Sequence, residues 1–327
     1  MTILSSELKR FKSATITDTS ANGGKMSATE SVSAVKNNLF PDVSEAERVA
    51  GKTRHRKQFA KVANDADETL FNGRLHLTQH TPGQDYITFF PGTQTNTQGD
   101  ITGSERQYGA GALKTNVSAG ATSFIVTIEN SGLTLFANAD MVWIGDGTNS
   151  EYHDNVTISK TGADVTITLD TGDQLANAYT VAAGTVGASV YQAGDVKGSV
   201  DGWSETSGSG TYNEATYPAE IDNIGSIEET WTLTFSNATN FSCSGAGVGS
   251  VGSGNISTDF SPNNPNFSKP FFTLRAAGWG GTWANGNTVV FTTHPAAVPV
   301  WFKQVVPAGC ASYSSNNFKS LFGGESA

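Results

Sequence analysis

Three short stretches of this sequence carry residue types that could do chemistry. The first, "GVGSVG", places Gly247, Gly249 and Gly252 in the G-x-G-x-x-G order of a dinucleotide-binding turn. That turn works only between a strand and a helix, because the helix N-terminus holds the pyrophosphate. The residues that follow, "SGNISTDFSPNNP", do not form a helix, so this stretch is read as a flexible Gly-rich β-loop. The second, "GKT" at 51–53, invites a P-loop reading, but Ala46 stands where that loop needs its first glycine. The third is the set of His55, His76, His80, His153 and His294. His76 and His80 fall on a predicted strand, where residues four apart share a face about 13 Å apart, too far to hold one ion between them. "GDGTNSE" and "EYHDN" (145–155) offer oxygen ligands without the spacing of an EF-hand loop, and Asp, Asn and Gly favour polar turns. There is no G-x-S-x-G elbow, and neither Cys243 nor Cys310 has a catalytic setting. No residue is therefore assigned a catalytic, cofactor-binding or metal-binding role.

The remaining candidate is electrostatic. "RHRKQFAK" (54–61) is basic inside a chain of 327 residues with formal net charge −10. Residues 1–61 hold 11 Lys/Arg against 6 Asp/Glu, and residues 62–327 hold 9 against 24. A nucleic-acid surface would interleave several uncompensated cations with aromatics. Here Phe59 is the only nearby aromatic, and "NDADE" follows at once. The expectation is pairing with the acidic body of the same chain or of a neighbouring subunit. Lys9, Arg10, Lys12, Arg54, Arg56 and Lys57 are the candidate interface residues.

The elements that would position these residues are mostly strands. Charged residues are 15% of the chain and hydrophobic ones 37%, with Gly, Asn, Ser and Thr filling the gap. That mixture favours turns and strands over helices. The aromatics, 18 Phe, 8 Tyr and 6 Trp, supply core material that disordered chains lack. The expected fold class is mainly β: β-sandwich or barrel domains with long Gly/Asn/Ser-rich loops and an extended N-terminal arm.

Residues 1–53 are read as the arm, being polar and poor in large apolar residues. It carries one short helix at "SEAERVA" (44–50), where Ser44 and Glu47 form a capping box. Residues 54–110 and 221–327 are read as a discontinuous β-sandwich domain, in which "VPVWFKQVVP" (298–307) pairs with the strands of 57–90. Residues 111–195 form an inserted small β module, whose clearest hairpin is "VTISKTGADVTITLD". Residues 196–220 are read as a polar loop. The start, "MTILSSELKRFKSATITDT", has no apolar core of a signal peptide, and no segment is long enough to be a membrane anchor. With two cysteines the expectation is cytosolic synthesis and free thiols.

The run from "NGGKMS" through "NNLFPDVSEAERVAGKTRHRKQFAKVANDADETLFNGRLHLTQHTPGQDYITFFPGTQTNTQGDITGSER" resembles virion structural proteins of tailed bacteriophages and prophages, particularly those with Mu-like gene organisation. "VSAGATSFIVTIENSGLTLFANADMVWIGDGTNSEY" and the ending "FTTHPAAVPVWFKQVVPAG" are similar to the same group. The resemblance covers most of the chain and contains no catalytic motif. It implies a structural subunit made in the host cytoplasm and located in the virion, with the tail tube favoured: a homo-oligomeric ring, stacked, touching other virion proteins, through which DNA passes without specific binding. A baseplate or distal-tail protein and a capsid decoration protein are the alternatives. A carbohydrate-binding fibre domain is a further one, with Trp203, Trp279 and Trp283 as stacking platforms.

Overall fold

The computed structural model describes residues 2–326. Strands hold 46% of the chain and helices 6%, so the protein is mainly β. It is built from three sheet-based units.

The first unit centres on two strands that are distant in sequence. Ala297–Val306 pairs antiparallel with Lys52–Val62 over their length and with Tyr86–Pro91 on its other side. Both Lys52–Val62 and Ala297–Val306 are interior strands of a five-stranded sheet. The remaining two strands, Leu8–Thr15 and Gly23–Glu30, form a hairpin that pairs with Lys52–Val62 through Leu8–Thr15. Residues 8–30 are thus part of the main sheet, which corrects the expectation of an arm over 1–53. The hairpin supplies little apolar surface of its own. Phe11 sits opposite Phe59 and meets Phe267 edge-on at 5.7 Å, so its core partners come from two other segments. The expected helix is Glu45–Ala50, and Ser44 and Glu47 bond reciprocally as a capping box.

A three-stranded sheet, with Leu70–Gln79 between Tyr191–Val196 and Lys319–Glu325, shares a core with the first. Ala60, Val62, Val300 and Phe302 from one sheet join Leu75, Leu77 and Phe322 from the other.

The second unit is a seven-stranded antiparallel sheet spanning residues 110–189. Thr157–Thr161 and Asp164–Thr168 form its outer hairpin, turning at Gly162. Phe124, Val126, Ile144, Val165 and Ile167 fill its own core. None of its strands pairs with Ala297–Val306. Trp143, Val186 and Ala188 instead face the first unit's core and seat the module on it. "GASVYQ" divides at the buried Val190: Val186–Ser189 stays in the module and Tyr191–Val196 crosses to the first unit. The boundary expected at 195 therefore falls near 190.

The third unit has a five-stranded sheet in the order Ser199–Thr206, Thr288–His294, Glu229–Phe235, Asn240–Gly245, Gly249–Asn255. Its core is separate and mostly aromatic, with Trp231, Phe235, Phe241, Phe272, Trp283 and Phe291. Two expectations are corrected here. Residues 196–220 are not only a loop, since they carry Ser199–Thr206 and Thr211–Tyr212. Residues 221–294 build this unit rather than completing the N-terminal sheet. The Ser199–Thr206 strand escapes a period-2 reading because its register shifts between Asp201 and Ser204.

Candidate functional site

The basic run lies on the central strand of the first sheet, and position explains its fate. A strand with neighbours on both edges and cover on both faces encloses its side chains whatever their charge. Arg54, Arg56, Lys57 and Lys61 are 4%, 7%, 2% and 0% exposed. Arg54 bonds Glu47 and the Gln304 carboxamide oxygen, and Gln304 in turn donates to Asp85 at 2.8 Å. Arg56 donates to Asp18 at 2.7 Å and to the Thr17 carbonyl at 3.0 Å. Three of the six candidate interface residues, Arg54, Arg56 and Lys57, are thus buried and bonded within the chain, which corrects their assignment to a subunit surface.

Lys57 and Lys61 point to the opposite face from Arg54 and Arg56, and among the described residues neither bonds a carboxylate. Lys57 Nζ donates to the carbonyls of Gly24 (2.7 Å) and Asn96 (2.9 Å), with the rings of Phe59 and Trp301 beside it. Lys61 Nζ donates to Ile224 O at 2.6 Å and lies 4.6 Å from the centre of the Phe267 ring. Burial pushes the Lys57 ammonium down to about 7 and that of Lys61 to about 8, with Asp100 and Asp222 offsetting part of the effect. These lysines tie loops to the sheet: Lys57 holds 24 and 96, and Lys61 holds the third unit.

The other three candidates lie on Leu8–Thr15. Lys9 reaches Glu30 at 3.4 Å. Arg10 lies over the Phe322 ring and reaches Ser320 Oγ at 3.4 Å. Lys12 has no ion pair among the described residues. It borders a groove of about 250 Å³ with Ile16, Asn37, Leu39, Pro41 and Arg56.

The histidines are dispersed. His76 is fully buried beside Trp143 (4.9 Å) and Tyr152 (5.5 Å), with no hydrogen-bond partner on either ring nitrogen. Burial, with the nearby Arg10 charge, pushes it down to about 3. His80 faces Glu129 at 3.3 Å, so the two do not share a site. His153 sits between Asp173 (2.6 Å) and Glu151 (3.1 Å). His294 sits between Glu228 (2.7 Å) and Asp201 (3.1 Å). Burial pulls its pKa down, but the two carboxylates outweigh that and raise it.

Among the described residues no cluster of three His, Cys, Asp or Glu side chains is arranged to hold a metal ion. In 145–155 the oxygens are committed locally. Asp146 accepts from the amides of Thr148 and Asn149, and Glu151 accepts from Ala176 N and the Tyr179 hydroxyl.

The Gly-rich loop is also more ordered than expected. Gly249–Asn255 is a strand, and Gly247 N donates to Glu229 at 3.0 Å. Glu229, 2% exposed, also meets Lys25 at 3.4 Å and so joins the N-terminal hairpin to the third unit. Sequence reasoning did not single it out. The signal was present: the alternation of Trp231, Leu233 and Phe235 puts Glu229 on the inward face.

The three tryptophans pack against other aromatic rings of the third unit. Trp283 is 1% exposed and stacks on Phe235 at 4.2 Å, Trp203 stacks on Phe291 at 5.0 Å, and Trp279 packs edge-on against Trp283. Cys243 is buried, Cys310 half-buried, and both are free thiols. No helix among the described residues is long and apolar enough to cross a membrane.

Comparison with protein-family models, with curated proteins and with solved structures finds no match for this chain.

Proposed function

We propose that the chain is a structural subunit of a tailed-phage virion that assembles by contacts between copies, with the tail tube as its favoured place. The observation that carries this reading is the unpaired outer edge of the third unit's sheet. Gly249–Asn255 pairs with Asn240–Gly245 on one side and, among the described residues, with no strand on the other, and none of its seven residues is buried. Free edges are templates for pairing with another chain. Identical subunits joined by a heterologous contact close into a ring when the rotation per subunit divides the circle. The resemblance to virion structural proteins points the same way. So does the internal use of the charged groups, which cross-links the units of the chain.

Negative-stain microscopy of the purified protein tests this. Rings or stacked tubes are the expected result. Monodisperse trimers that do not stack move the assignment to decoration or fibre, and a strict monomer at high concentration rejects self-assembly.

A further inference from the structure

The groove beside Leu8–Thr15 is bordered by a lysine, Lys12, that has no ion pair among the described residues. Lys12, Arg56, Asn37, Ile16, Leu39 and Pro41 line it. Asp18 is bonded to Arg56 at 2.7 Å and lies 3.7 Å from Lys52. The other acids nearby are already matched, Asp42 by Lys36 at 2.9 Å and Glu47 by Arg54. Asp18 thus answers Arg56 and Lys52, while Lys12, on the groove, has no ion pair among the described residues in a chain of net −10. Burial raises the Asp18 carboxyl, but Arg56 and Lys52 outweigh that and hold it low, so it is committed to them.

We propose that this groove seats an acidic side chain from a second copy of this chain. The proposal rests on the self-assembly reading above. Three features favour this occupant. The groove, at about 250 Å³, is smaller than the ~300–1,000 Å³ of ordinary small-molecule pockets and fits one or two side chains. Ile16, 49% exposed, with Leu39 and Pro41 offers apolar surface for the methylenes of a Glu or Asp, while Lys12 and Asn37 offer donors for its carboxylate. Beyond residue 61 the chain holds 24 Asp/Glu against 9 Lys/Arg, so a neighbour presents complementary charge.

The test is sedimentation velocity on the full chain at low and high salt, comparing wild type, Lys12→Glu, Lys12→Arg and Lys197→Glu. Lys12 has no ion pair to lose, so reversing its charge leaves the fold intact, as circular dichroism will verify. Lys197 is exposed, lies outside the groove and controls for net charge. The expected result is wild-type association that weakens with salt, at least a tenfold loss in Lys12→Glu, near-wild-type behaviour in Lys12→Arg, and little change in Lys197→Glu. Association equal in Lys12→Glu and wild type overturns the groove as a contact and leaves self-assembly standing. A wild type that stays monomeric removes both. Thermal stabilisation of a monomeric wild type by inorganic phosphate, absent in Lys12→Glu, assigns the groove to a free anion instead and overturns the second-copy occupant.

Discussion

Lys61 lies between the Phe11 and Phe267 rings, and its charge is answered by the carbonyls of Ile224 and Ser226 rather than by a carboxylate. Its folded-state pKa, about 8, lies below the ordinary 10.5. Between those values the unfolded chain binds the extra proton, so stability rises as pH rises through the window and falls as pH drops toward 8. Lys57 adds a contribution of the same sign from about pH 7 upward. Denaturant unfolding at several pH values across this window should show wild-type stability climbing, with Lys61 contributing on the order of 2 kcal/mol. In Lys61→Met that part of the slope should vanish, because the side chain no longer titrates. An unchanged slope in the variant would mean that Lys61 is not the group responsible. The sequence identified these basic residues but not their burial, because charge suggests solvent until a partner strand is known. Val298, Val300 and Trp301, which cover the run, are about 240 residues further along the chain.

Among the elements, those legible in the sequence hold their pattern locally. Leu70–Gln79 lies within the 57–90 stretch expected to form strands, and Asp164–Thr168 and Glu229–Phe235 alternate Val, Ile, Trp or Phe with Thr. The Ser44–Glu47 capping box needed only four residues to recognise. Elements that were missed depend on distant partners. Leu8–Thr15 carries only two buried residues, Phe11 and Ser13, and Thr211–Tyr212 is two residues long, paired with Trp279–Gly280. That short pair depends on Gly281. Its φ is +65°, and a Cβ there would lie 1.8 Å from the Ser209 carbonyl oxygen. Gly281→Ala should therefore displace 209–212 from 279–282 and destabilise the third unit by more than about 2 kcal/mol. Thermal unfolding read by tryptophan fluorescence will register it, since Trp279 and Trp283 flank the site. A melting temperature equal to wild type would show that the loop relaxes around the added methyl group.

At the scale of the whole molecule, the three units are joined by polar contacts as much as by apolar ones. Asn223 bonds Asn64 and the Glu68 carbonyl, Lys269 meets Asp65 at 2.7 Å, and Lys25 meets Glu229, all between the third unit and the first. Much of the chain's positive charge is consumed in this way or is buried on Lys52–Val62, which bears on nucleic acid. Retention of DNA requires exposed cations that release counterions from phosphates, and each such contact adds affinity and salt dependence. Of the 20 Lys and Arg, Arg54, Arg56, Lys57 and Lys61 are enclosed, and Lys9, Lys25, Lys36, Lys52, Arg74, Arg106, Lys114, Lys269 and Arg275 are matched by carboxylates. The seven cations left over stand against a net charge of −10, which opposes the approach of DNA. A subunit through whose assembly DNA must move benefits from this, because repulsion keeps the cargo from adhering to the wall. The protein, assembled or not, should leave double-stranded DNA unshifted in a gel at near-physiological salt, and lowering the salt should bring no more than weak, sequence-independent binding. Tight binding at physiological salt would contradict the conduit reading and would require a basic surface formed only between subunits.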